Sequence, residues 1–149
     1  MGKMREFFIV LVGSLVAFFA FAVEKPEPFG LKLGTTTKST ALSIITSEGG
    51  RVVSQGYKKI KGDIINPNVE GIEVEGLPVD NLLTATFWFY KDKLFHIEYT
   101  FPLSMSKEEF NWVSWSMYLI YEHIPLSKEV EKSDQEVFQK ETAKPRRGL

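Results

Sequence analysis

His96 and His123 are the only imidazoles in a chain of 149 residues that has no cysteine. A Ser/His/Asp triad would need one of these two rings, and no serine stands in a Gly-x-Ser-x-Gly turn. No acidic residue is spaced to complete an H-E-x-x-H metal helix. The pairs Gly49-Gly50 and Gly30/Gly34 lack the Gly-Lys-Ser/Thr that finishes a phosphate loop. Glu70, Glu73, Glu75 and Asp80 suggest paired acid and base groups, yet Glu73 and Glu75 alternate with Ile72 and Val74, as the wet face of a strand requires. Lys58, Lys59 and Lys61 fit a solvated edge that discourages strand pairing better than an anion site. His96 lies two residues from Glu98, which suits a polar pair on one strand face, a transition-metal contact being the sharper alternative. His123 closes a segment of helical period, where the helix dipole favours it. The expectation is a protein that is not an enzyme, with no catalytic residue, no metal and no cofactor.

What exceeds the needs of a core is aromatic surface. Phe, Trp and Tyr make up 13% of the chain. In the run from Leu83 to Tyr90 the side chains divide between two faces, Leu83, Ala85, Phe87 and Phe89 on one and Thr84, Thr86, Trp88 and Tyr90 on the other. One layer of helices covers only one such face. Trp88 and Tyr90, with His96 and Glu98 of the following strand, are therefore candidate contacts for another protein, because Trp and Tyr anchors dominate interface energetics. A curved sheet, or one covered by the C-terminal segment, would bury them instead.

Composition narrows the partner. A chain 44% hydrophobic and 25% charged, with net charge −1, reads as one ordinary domain. Without a basic field, nucleic acid is not expected. The missing cysteine excludes a disulfide scaffold, a zinc ribbon, a thiol enzyme and a lipoprotein anchor. The first residues differ from the rest. Lys3 and Arg5 precede an apolar run from Phe7 to Val23, broken only by Gly13 and Ser14. It ends in Ala20-Phe21-Ala22, the small-x-small pattern a signal peptidase accepts. The run is at the short limit for spanning a bilayer. The expectation is a signal peptide over residues 1–22, cut between Ala22 and Val23, a periplasmic or secreted destination, and no membrane attachment afterwards. Retention as an uncleaved N-terminal helix is the alternative. The oligomeric state stays open.

The elements that must position these residues follow from punctuation and period. Residues 23–28, with Pro26 and Pro28, form a linker. Thr35, Thr36 and Thr37 can cap a short helix whose apolar positions are Ala41, Leu42, Ile44 and Ile45, stopped by Gly49-Gly50. Strand-like alternation starts at Arg51, resumes over Ile72–Glu75, and is strongest in a hairpin that joins Leu83–Tyr90 to Leu94–Phe101 through Lys91-Asp92-Lys93. Ser106-Lys107-Glu108-Glu109 matches a capping box, and Phe110, Val113, Met117, Ile120 and Ile124 supply the stripe of an amphipathic helix closed by Pro125. Residues 127–149 read as a charged, flexible tail with at most one weak helical stretch. The predicted fold class is α+β: a two-layer sandwich over residues 29–126, an antiparallel meander with both helices on one sheet face.

Gly30-Leu31-Lys32-Leu33-Gly34-Thr35-Thr36 running into a helix, followed by a meander with Phe87-Trp88-Phe89-Tyr90-Lys91-Asp92-Lys93-Leu94, resembles small exported bacterial domains of the BamE (SmpA/OmlA) and β-lactamase-inhibitor-protein type. The resemblance covers about residues 29–124. It implies a bacterial envelope domain that works by binding another protein, and it carries no catalytic residue. A small-ligand-binding periplasmic protein is the second expectation.

Overall fold

The computed structural model describes residues 10–11, 17–23, 28–102 and 115–143. The chain is an α+β protein. Its sheet is formed by β1 (Val10–Leu11), β2 (Ala17–Val23), β3 (Arg51–Lys61), β4 (Ile64–Glu75), β5 (Thr84–Tyr90), β6 (Lys93–Pro102) and β7 (Trp115–Glu122), in the order β1-β2-β7-β6-β5-β4-β3. Among the described residues the α-helices are α1 (Lys38–Ser47) and α2 (Ile124–Thr142). Strands β3 to β7 pair antiparallel in chain order, while β2 lies parallel to β7.

Local sequence explains the first half well. Thr37 is the N-cap of α1, its Oγ1 accepting from Thr40 N at 3.3 Å. Gly49, at φ +94, turns the chain out of the helix. Ala41 and Ile45 bury the stripe of α1 against Ile72, Val74, Phe87 and Phe89. Each large side chain hidden there contributes roughly 1.5–3 kcal/mol of transfer free energy. The β5–β6 hairpin closes through Lys91 and Asp92, both at positive φ (46° and 69°), as a tight two-residue turn between twisted strands demands.

The second half departs from expectation. Residues 115–122 are strand β7, not the end of a helix; residues 106–114 of that expected helix lie outside the described residues. Met117, Leu119 and Tyr121 alternate as well as Met117, Ile120 and Ile124 repeat at helical spacing. Pairing with β6 decides between the two periods. The expected flexible tail is instead largely helix α2, whose residues Leu126, Val130 and Ser133 turn inward at helical spacing. Pro125 opens this helix rather than closing one, since its missing N–H is no loss in a first turn.

The helices do not share a face. Ile72, Val74, Ala85, Phe87, Ile97 and Tyr99 form one side of the sheet under α1. Val69, Trp88 and Tyr90 alternate to the other side, where α2 crosses one end of the strands. Phe95 joins them through a β-bulge: Trp88 pairs with His96 but Phe89 with Leu94, so Phe95 is the extra residue. Among the described residues, no helix is long and apolar enough to cross a membrane.

Candidate functional site on the open sheet face

The face that α2 crosses is covered only at one end by the described residues. Two cross-strand rows show what lies beyond the helix. One row runs Gly71, Trp88, His96, Glu122 and the next Glu73, Thr86, Glu98, Ile120. Trp88, Thr86, His96, Glu98 and Glu122 are all half-exposed.

Trp88 is held in place by an absence. A Cβ at Gly71 would lie 2.6 Å from the indole ring, so the ring occupies the space a side chain there would need. The indole therefore leans over β4, and His96 on β6 is the cross-strand neighbour on its other side. His96 Nε2 stands 3.7 Å from Glu98 Oε1, with the two side chains 22% and 34% exposed. This is a polar surface pair. Among the described residues, no group of three or more His, Asp or Glu is placed to hold a metal ion.

Tyr90 belongs to the support rather than to the surface. It is 8% exposed and packs with Val69, Phe95 and Val130, with Trp88 and Leu126 at the margin. The four candidate residues are thus split. Trp88, His96 and Glu98 share the open face, and Tyr90 lies beneath α2.

His123 has a different role from the one its position suggested. It is the N-cap of α2, where its Nδ1 accepts from Leu126 N at 3.2 Å and its own N–H donates to Phe95 O at 2.8 Å. The accepting Nδ1 satisfies one of the free amides of the first turn of α2, as a cap must. The other edge of the ring abuts Gly34, which leaves no room for a Cβ (2.7 Å) and has φ +89. The histidine therefore fixes where α2 starts.

Sequence reasoning missed what holds α2 down further along. Asn66 is fully buried; its Nδ2 donates to Ser133 Oγ (3.0 Å) and Asp134 Oδ1 (2.8 Å), and its Oδ1 accepts from Asn68 N (3.0 Å). Lys58 adds an ion pair with Asp134, so this lysine is engaged rather than merely solvated. Glu70 pairs with Lys38 at 2.9 Å on the α1 side, whereas Glu73 and Glu75 face the other way and meet Ser54 and Arg51. The pleat therefore separates Glu70 from Glu73 and Glu75. Ala20, Ala22 and Val23, the residues around the expected cleavage point, stand in β2.

No family model, no curated protein and no solved structure matches the chain.

Proposed function

We propose that this protein is an exported, non-catalytic binding module that recognises another protein through the open face of its sheet, in an inhibitory, immunity or envelope-assembly role. The observation that carries the reading is the half-exposed Trp88 indole, laid over Gly71, with the His96–Glu98 pair on the neighbouring strand of the same face. A rigid aromatic plate with polar groups at its rim is the usual make-up of an interface anchor. Export is supported by Lys3 and Arg5 ahead of the apolar run and by Ala20-Phe21-Ala22 at its end. The likeness of the Gly30–Thr36 and Phe87–Leu94 motifs to BamE-type and β-lactamase-inhibitor modules points to the same class of function.

A photo-crosslinking residue at Thr86, in the middle of the open face, tests this, with one at Lys59 on the β3 edge as control. Crosslinking in the producing cell should yield one dominant adduct from position 86 and none from 59. Trp88→Ala should then weaken binding of the captured protein about thirtyfold, the loss of a strong anchor of about 2 kcal/mol. Unchanged affinity in Trp88→Ala would sink the sheet-face reading.

A further inference from the structure

Up to the terminal Glu122, the outer edge of β7 carries none of the devices that keep a strand from pairing. From Trp115 to Tyr121 it reads Trp-Ser-Met-Tyr-Leu-Ile-Tyr, without charge or proline, and its register against β6 is unbroken. An edge of this kind, left open, joins another strand. In the full chain it is not open. Residues 17–23 lie along it in parallel, from Ala17 opposite Trp115 to Val23 opposite Tyr121. The segment that covers the edge is also the segment that ends in the cleavage signature. A cut after Ala22 removes all of β2 except Val23 and uncovers β7 almost to its end.

We propose that the β7 edge is a strand-acceptor site, covered by the chain's own residues 17–23 before processing and afterwards by an extended apolar segment of a partner protein running parallel to β7. The chemistry of the occupant is read from the segment already seated there. Ala-Phe-Phe-Ala-Phe-Ala-Val is uncharged, free of proline and built of small and aromatic residues. Main-chain hydrogen bonds would supply the affinity and alternate side chains the selectivity. A second copy of this chain meeting β7 across a two-fold axis would run antiparallel, opposite to the pairing observed. The inference rests on the proposed processing and on none of the face residues.

Intact mass of the exported protein comes first. An N-terminus at Val23 establishes the processing, whereas Met1 overturns the exchange of occupants. Amide hydrogen exchange at residues 116–121 then judges the edge. In full-length chain made without export these amides should be protected, and in the processed protein the ones that do not bond to β6 should exchange at least tenfold faster. A synthetic peptide of residues 17–23 with terminal lysines should restore protection, and the same peptide with Phe19→Lys and Phe21→Lys should not. Ala20→Pro in the full chain, which breaks β2 without any cut, should open β7 and make it responsive to the peptide. Equal exchange in all forms, with no response to peptide, would overturn the acceptor site. A processed protein of dimeric native mass with protected β7 would overturn it in favour of a second copy.

Discussion

The two sides of the sheet are held by different forces. On the β3–β4 side the contacts are polar: Arg51 with Glu75, Ser54 with Glu73, Lys58 with Asp134, and the buried Asn66 tied to Ser133 and Asp134. Register breaks three times along β3, and Val52, Val53 and Tyr57 are exposed. On the β6–β7 side the register is continuous and the contacts are apolar, with Tyr99 edge-on to Tyr121 at 5.7 Å and to Phe101 at 6.4 Å. The difference shows how each side meets the problem of an edge. Bulges and lysines make β3 a poor template for pairing, so it can stay exposed. β7 has neither, and its stability as a well-packed strand comes with an edge that has to be covered.

The polar side makes the largest single prediction. Asn66→Ala would remove one partner each from Ser133, Asp134 and the Asn68 N–H at once, at a point where Asn66 and Ser133 are buried. The expected loss is about 2–3 kcal/mol, since unpaired buried polar groups carry their full desolvation cost. Urea unfolding would show it as a lower midpoint. A shift equivalent to less than about 0.5 kcal/mol, within the ordinary range for a surface substitution, would mean that α2 is held by Leu126 and Val130 alone.

The apolar side answers to base rather than to loss of a hydrogen bond. Burial pushes the Tyr99 phenol up, and neighbouring Tyr121 adds to the shift; burial also raises Tyr121. Well below the usual tyrosine value of 10.0 both folded and unfolded chains keep these protons, so the two phenols add no pH dependence to stability there. Above it the unfolded chain releases them first, and each phenol lowers stability by up to about 1.4 kcal/mol per pH unit until its folded value is reached. Tyr99→Phe should flatten this decline by about 1 kcal/mol between pH 10 and 11. At pH 7 it should leave stability unchanged or slightly higher, because Tyr99 Oη is buried without a hydrogen-bond partner among the described residues. Thermal melts at the three pH values check both statements. An undiminished slope in Tyr99→Phe would place the base sensitivity elsewhere.

How much of this was legible in sequence follows the same division. The β5–β6 hairpin could be read directly because Phe87, Phe89, Ile97 and Tyr99 alternate without interruption, and the cap of α1 because Thr37 precedes an apolar stripe. Strand β7 could not, because Met117 serves both a helical and a strand period and only pairing with β6 separates them. Helix α2 was hidden by its charge: its few inward residues look too sparse to pack until Asn66 and Asn68 are seen to receive Ser133. The same helix explains the candidate site. Alternation alone puts Trp88, His96 and Glu98 on one face, but only a segment about forty residues further on decides that Tyr90 is covered and Trp88 half-open.

The smallest expected effect bears most directly on the edges. Arg51 Nη2 meets Glu75 Oε1 at 2.7 Å, but the two side chains are 68% and 42% exposed. Water competes for both charges and salt screens them over about 10 Å at 0.1 M, so the pair contributes between zero and about 1 kcal/mol. Arg51→Ala should therefore lower stability by less than about 1 kcal/mol, and the difference from the parent should shrink further at 1 M sodium chloride. The ladder between β3 and β4 would then be what keeps the strand in place, with the charges serving to make its outer lane unattractive to another strand. A larger, salt-sensitive loss would reverse that order. It would mean that β3 is attached by its ion pairs, and that the irregular edge is closer to detaching than the apolar one.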